Sequence, residues 1–157
     1  MAVLVRAEGA GQNAAPFTNT VGERIPAFET FWRETFVIDP PKAMLLPDGR
    51  VLIPPQRIPK ELKNLHIVRA GVLAGEVKNS RFTPDHALAM AYPAGAFRAC
   101  ATLSGDEISR FLAGETVVCD DALAGWCPAV ACGHPVGWGK AVYGVLKNHI
   151  PKGLRIR

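Results

Sequence analysis

Apolar residues at Ile25, Phe28, Trp32 and Phe36 recur at three- and four-residue spacing, which lines one face of a short helix. That stripe must bury against something, and Pro40-Pro41 sets the limit of the element. The pattern then changes. Ala43 to Leu46 and Val51 to Ile53 flank Pro47-Asp48-Gly49-Arg50, which predicts two strands around an Asp-Gly turn. Pro54-Pro55 closes this unit, and Pro59 with Lys60 to Lys63 reads as a linker. Ahead of the helix, residues 1–22 are rich in Ala, Gly, Asn and Thr without clear periodicity, so a flexible lead-in is expected there.

A denser unit begins near Leu65. His66 to Val77 carries β-branched and small residues, with Gly71 and Gly75 suggesting bends or bulges. Thr83-Pro84-Asp85 predicts a helix start, with Thr as cap and Pro at the first helical position, for a helix carrying His86 to Met90 and stopping near Pro93. Ser104-Gly105-Asp106-Glu107 has the spacing of a capping box before Ile108, Phe111 and Leu112, and Gly114 ends that helix. Val117 to Cys119, Trp126 to Cys132 and Lys140 to Leu146 read as later strands. The fold class is therefore α+β, with a small mixed or barrel-like sheet and short helices, preceded by a helix and β-hairpin extension. The expected division is 1–22, 23–62 and 63–157. LAGE occurs at 73–76 and 112–115 without a period or shared context, so it marks no repeat.

The 157-residue length allows one domain with a real core, or a small domain plus an extension. Hydrophobic residues at 48% and charged residues at 20% exclude general disorder. The N-terminus lacks the uninterrupted apolar run of a signal peptide, and no window approaches the roughly 20 apolar residues of a membrane span. The expectation is a cytoplasmic protein with no membrane association, its four cysteines reduced.

Candidate chemistry is thin. Cys127, Cys132 and His134 have some look of a metal cluster, but the tight pairs that structural zinc favours are missing, so the cysteines are expected in the core and no metal is expected. The histidines are scattered, and Asp106, Glu107, Glu115, Asp120 and Asp121 suit a solvated acidic face. No glycine-rich nucleotide loop opens a helix after a strand, and no nucleophile or acid/base set converges, so no catalytic residue and no cofactor are expected.

The basic residues carry more information. The net charge of +4 is mild, but it is unevenly placed. Between Lys60 and Arg81 five cations face two acids, and from Gly137 to Arg157 three lysines and two arginines face none. Such segregation permits one basic face, the footprint of a nucleic-acid binder. The terminal stretch is no loose arm, because Trp138, Val142, Tyr143, Val145, Leu146, Ile150 and Leu154 are interleaved with the charges and need packing.

Three stretches carry a family resemblance: Gly75-Glu76-Val77-Lys78, then Arg81 to Met90 (RFTPDHALAM), then Gly137-Trp138-Gly139-Lys140 followed by Leu146 to Arg155 (LKNHIPKGLR). They resemble the C-terminal region of the Sun-family (RsmF-type) bacterial rRNA cytosine-5 methyltransferases, over about residues 65–157 and more weakly over 23–62. Ile150 stands where that pattern has an aromatic, and Val77 where it often has Leu. The resemblance implies a PUA-like pseudo-barrel that grips structured RNA, rRNA or tRNA, mainly through backbone and shape contacts. The family's catalytic cysteine follows Thr or Pro, and no cysteine here does, so the resemblance implies the recognition module without the reaction. On the matching positions it points to RNA contacts at Lys78, Arg81, Lys140, Lys147, Asn148, Lys152 and Arg155. A separate methyltransferase chain is a second partner class. A different reading makes the chain a docking subunit, or the detached half of a split enzyme, with an exposed apolar face such as Phe28/Trp32/Phe36. For Lys147 to Arg155 a structural role, closing the barrel, stands beside the RNA role.

Overall fold

The computed structural model describes residues 24–55 and 71–156, together with the strand backbone at 3–5 and 66–69. Helix α1 (Pro26–Thr35) starts on a proline in its first turn and buries Phe28, Phe31, Trp32 and Thr35. It ends well before Pro40-Pro41, because Phe36 turns to extended geometry and bridges Phe97. Phe36 is fully buried and stacks on Trp32 with ring centroids 3.9 Å apart. The Phe28/Trp32/Phe36 face therefore lies in the core and offers no docking surface.

Strands β2 (Met44–Leu45) and β3 (Arg50–Ile53) form the expected hairpin, with Asp48 accepting from the Arg50 backbone N–H across the turn. The sheet continues through β5 (Val72–Lys78) and β6 (Arg81–Pro84) in the order β2-β3-β5-β6, all antiparallel. This sheet crosses the expected boundary at 62/63, so the hairpin at 44–53 and the strands at 72–84 share one layer. The linker expected at 59–63 lies outside the described residues. Of the 1–22 lead-in, Val3–Val5 forms β1, a strand not expected there, paired antiparallel with β4 (His66–Arg69).

Helix α2 (His86–Met90) follows directly, but its cap differs from the expected one. Thr83 and Pro84 finish β6, and Asp85 is the cap, its carboxylate accepting from the Ala87 N–H at 2.9 Å. Pairing of Thr83 and Pro84 with Glu76 and Gly75 outcompetes helix initiation at those positions. The side chains of Phe28, Phe31, Trp32, Phe82, Leu88 and Phe97 form the first core, and Trp138 enters it from the second unit.

The second unit is a five-stranded curled sheet in the order β7-β9-β10-β11-β8, made of β7 (Ala101–Thr102), β8 (Val117–Val118), β9 (Gly125–Ala131), β10 (His134–Val142) and β11 (Val145–Asn148). The β7–β9 pair is parallel and the others antiparallel, the mixed, barrel-like sheet that was expected. Helix α3 (Asp106–Ala113) packs Phe111 into its interior against Leu103, Cys127, Ala129, Ala141, Leu146 and Ile150. The capping box is half formed. Glu107 reaches back to the Ser104 N–H at 3.0 Å, and the Ser104 hydroxyl donates to the same carboxylate instead of capping the helix.

Two further expectations are corrected. Lys140 to Leu146 is not one strand but a hairpin, reversed by Tyr143-Gly144 between β10 and β11. Cys132 is not in the core: it sits exposed in the two-residue turn between β9 and β10, whereas Cys127 is buried. Burial pushes the Cys127 thiol up to about 11, with nearby Cys119 and Cys100 adding to the rise.

Candidate nucleic-acid interface

Every second residue of a strand faces the same side, and direct cross-strand partners project together. Along β10 this alternation sends Gly139 and Ala141 inward and Trp138, Lys140 and Val142 to the outer face. Trp138 is covered by the first unit: it packs edge-on against Phe31 and Phe97, and its Nε1 donates to the Asp85 carbonyl at 2.9 Å. Two residues further on, Lys140 is exposed. It stands opposite Lys147 on β11 and opposite Trp126 on β9. One row across three strands therefore reads Lys147, Lys140, Trp126.

Trp126 anchors this row. Its ring meets buried Trp138 at 6.3 Å, carries the Lys140 ammonium at 5.7 Å, and receives the edge of His149 at 4.4 Å. Burial against this cluster lowers the His149 pKa, and the charges of Lys140 and then Lys147 lower it further. The lowered pKa favours the neutral ring, which lessens cationic crowding beside the lysines. Two like charges directly opposite on neighbouring strands cost stability, and no described acid forms an ion pair with either.

The remaining expected contacts are distributed as follows. Lys78 and Arg81 pair across the β5–β6 hairpin, on either side of the Asn79-Ser80 turn, and both are exposed. Lys152 is exposed on a short 3-10 turn, Lys152–Leu154. None of these three forms an ion pair within the described residues.

Asn148 and Arg155 are placed differently. The Asn148 amide donates to the Phe111 carbonyl, and its oxygen accepts from the Ile150 N–H at 2.9 Å. Arg155 donates through Nε to the Ile150 carbonyl at 3.1 Å, and its side chain lies flat on Gly114. A Cβ at 114 would sit 2.5 Å from Arg155 Cδ, and φ there is +99°, so only glycine serves both the helix stop and this contact. With Ile150 buried and the Ile156 N–H bonded to Leu112, the segment closes the barrel over α3. Lys147 and Lys152, by contrast, are exposed.

Trp126 and His149 were not among the expected contacts. No sequence signal joins Trp126 to Lys140, because their pairing depends on a bulge. The β9–β10 register shifts between Pro135 and Gly137, and without that shift Trp126 would oppose Gly139.

The acidic residues stand elsewhere. Glu107 is held by Ser104, Glu115 pairs with Arg110 at 2.9 Å, and Asp120 accepts from the Ala122 N–H. Among the described residues no group of three or more His, Cys, Asp or Glu side chains is placed to hold a metal. No helix among them is long and apolar enough to cross a membrane.

Two family comparisons match this geometry. The family described as Methyltransferase RsmF PUA domain matches residues 99–156, the curled sheet and its closure. The RsmF rRNA methyltransferase first C-terminal domain matches residues 30–92, the α1–β2-β3-β5-β6–α2 unit. Residues 30–92 and 99–156 thus form a PUA-like C-terminal region of the RsmF type. No curated protein matches it significantly. In this RsmF region the two matched parts meet between residues 92 and 99, beside the 3-10 turn Ala94–Ala96, and Trp138 joins their cores.

Proposed function

We propose that this RsmF C-terminal region is an RNA-binding module accessory to rRNA methylation. It takes the phosphate backbone on the outer face of β9, β10 and β11. The observation that carries the reading is the Lys147–Lys140–Trp126 row, where two lysines with no ion-pair partner among the described residues stand opposite each other on neighbouring strands. A folded protein tolerates that repulsion more readily when a polyanion relieves it. Lys78, Arg81 and Lys152 extend the contact as further phosphate partners, while Asn148 and Arg155 serve by holding the strand ends that present Lys147 and Lys152. Backbone contacts of this kind recognise shape and charge more than sequence. The matches name a PUA domain and a first C-terminal domain, which supports assigning the chemistry to a methyltransferase domain acting with this module.

The test is anisotropy titration of fluorescein-labelled rRNA helix-loop fragments and of tRNA at several salt concentrations. Wild-type protein is compared with Lys140→Ala, Lys147→Ala and Lys152→Ala singly and together. Each phosphate contact removed should lower the slope of log K against log salt by about 0.7–0.9. Absence of RNA affinity at low salt, or slopes unchanged in the triple variant, would sink the reading. Equal affinity for tRNA and rRNA would remove the rRNA preference while leaving RNA binding in place.

A further inference from the structure

At the end of the β10–β11 hairpin the chain reverses through Tyr143 and Gly144, with φ of +48° and +71°. Both central residues of this two-residue turn have positive φ, a geometry that favours Asn-Gly and disfavours a bulky side chain at its first position. Tyr143 occupies that position and is 96% exposed, more than any other large hydrophobic residue described. Among the described residues no aromatic ring pairs with it.

The base beneath the ring is braced. The Gly144 carbonyl accepts from the Cys119 N–H at 2.8 Å, and the Asp121 carboxylate fills the space a side chain at 144 would need. Val118, 75% exposed, pairs with Val145 beside the turn and widens the apolar tip. The tip is thus aromatic and apolar with one carboxylate behind it, a poor place for a phosphate. The Lys140/Lys147 pair lies about 10 Å along the same hairpin, at roughly 3.3 Å per residue.

We propose that Tyr143 is a base-stacking residue, and that this hairpin takes an unpaired RNA segment with a base on the Tyr143 ring and its phosphates on Lys140 and Lys147. This rests on the RNA-binding reading above and narrows it to RNA with an accessible base. Aromatic rings accept every base, so the contact selects for unpaired structure and not for sequence.

The experiment compares a single-stranded oligoadenylate of about 12 nucleotides with an RNA duplex of similar length, a size within the usual site range. Tyr143→Asn and Tyr143→Gly both suit positive φ, and both should melt at the wild-type temperature or above it. Each should bind the single strand about tenfold more weakly, with duplex affinity and salt slope unchanged, and Tyr143→Trp should restore the affinity. If wild type binds RNA with a lysine-dependent salt slope but the Tyr143 variants match it on every RNA, stacking is overturned and RNA binding stands. An equal loss on the duplex also overturns it. If wild type binds neither RNA at low salt, the broader reading fails, and this one with it.

Discussion

The side-chain amide of Asn148 donates to the carbonyl of Phe111, 37 residues earlier, while its oxygen holds the N–H of Ile150. One side chain thereby ties the last strand to the C-terminal part of α3. Asn148→Ala leaves the Ile150 N–H without this partner and takes one acceptor contact from Phe111. A loss of about 1–3 kcal/mol is expected, from the usual cost of an unsatisfied buried polar group. Urea denaturation with unchanged m-value would show it, and wild-type stability in this variant would remove the closing role from Asn148.

Lys140 and Lys147 should behave in the opposite sense. Removing either relieves cross-strand repulsion, so Lys147→Ala is expected to hold stability or gain a few tenths of a kcal/mol. RNA affinity at low salt should fall in the same variant. A purely structural lysine would lower the melting temperature and leave the salt slope alone, so the two measurements together separate the roles.

His86 gives a pH dependence. Its Nδ1 is buried with no hydrogen-bond partner among the described residues, and burial lowers its pKa below the ordinary 6.5, against a smaller opposing pull from Asp85. His149 is lowered as well, by burial and by Lys140 and Lys147. In both cases the unfolded chain binds the proton more readily, so stability is full above about pH 6.5 and is lost as pH falls towards the lowered folded-state values. Denaturation midpoints at stepped pH should decline below 6.5, and His86→Leu should flatten part of that decline. A midpoint that rises on acidification would contradict the burial assignment.

The cysteines offer a simple test of the fold. Cys132 is exposed in its turn, whereas Cys127 is buried with its thiol pushed to about 11. A thiol reagent at mild alkaline pH should react fastest at Cys132, and Cys132→Ser should abolish the fast phase. Cys127 should react only on unfolding. Fast labelling of Cys127 in the native protein would rule out the β9 packing described here.

Local chemistry was legible in the chain. The stripe from Ile25 to Phe36, the Asp-Gly hairpin, the Gly114 stop and the α+β class follow from spacing and turn residues, which act over a few positions. The motif stretches also pointed to the RsmF C-terminal region, which the two matches show. Less was legible where neighbours compete. Thr83-Pro84 has helix-start chemistry, yet pairing with Glu76 and Gly75 keeps it in a strand, and Tyr143-Gly144 does not read as a reversal because Tyr is an unusual choice for positive φ.

The basic residues mark the same divide. Sequence alone determined that the last twenty or so residues carry cations without acids and must also pack. It could not separate Asn148 and Arg155, which hydrogen-bond to the Phe111 and Ile150 carbonyls, from Lys147 and Lys152, which are exposed. Nor could it place Trp126 beside Lys140. A single bulged residue between Pro135 and Gly137 decides that contact, since a one-residue slip in a strand moves every side chain to the opposite face. Register is a property of paired strands, so the Lys147–Lys140–Trp126 row exists only once β9, β10 and β11 have come together.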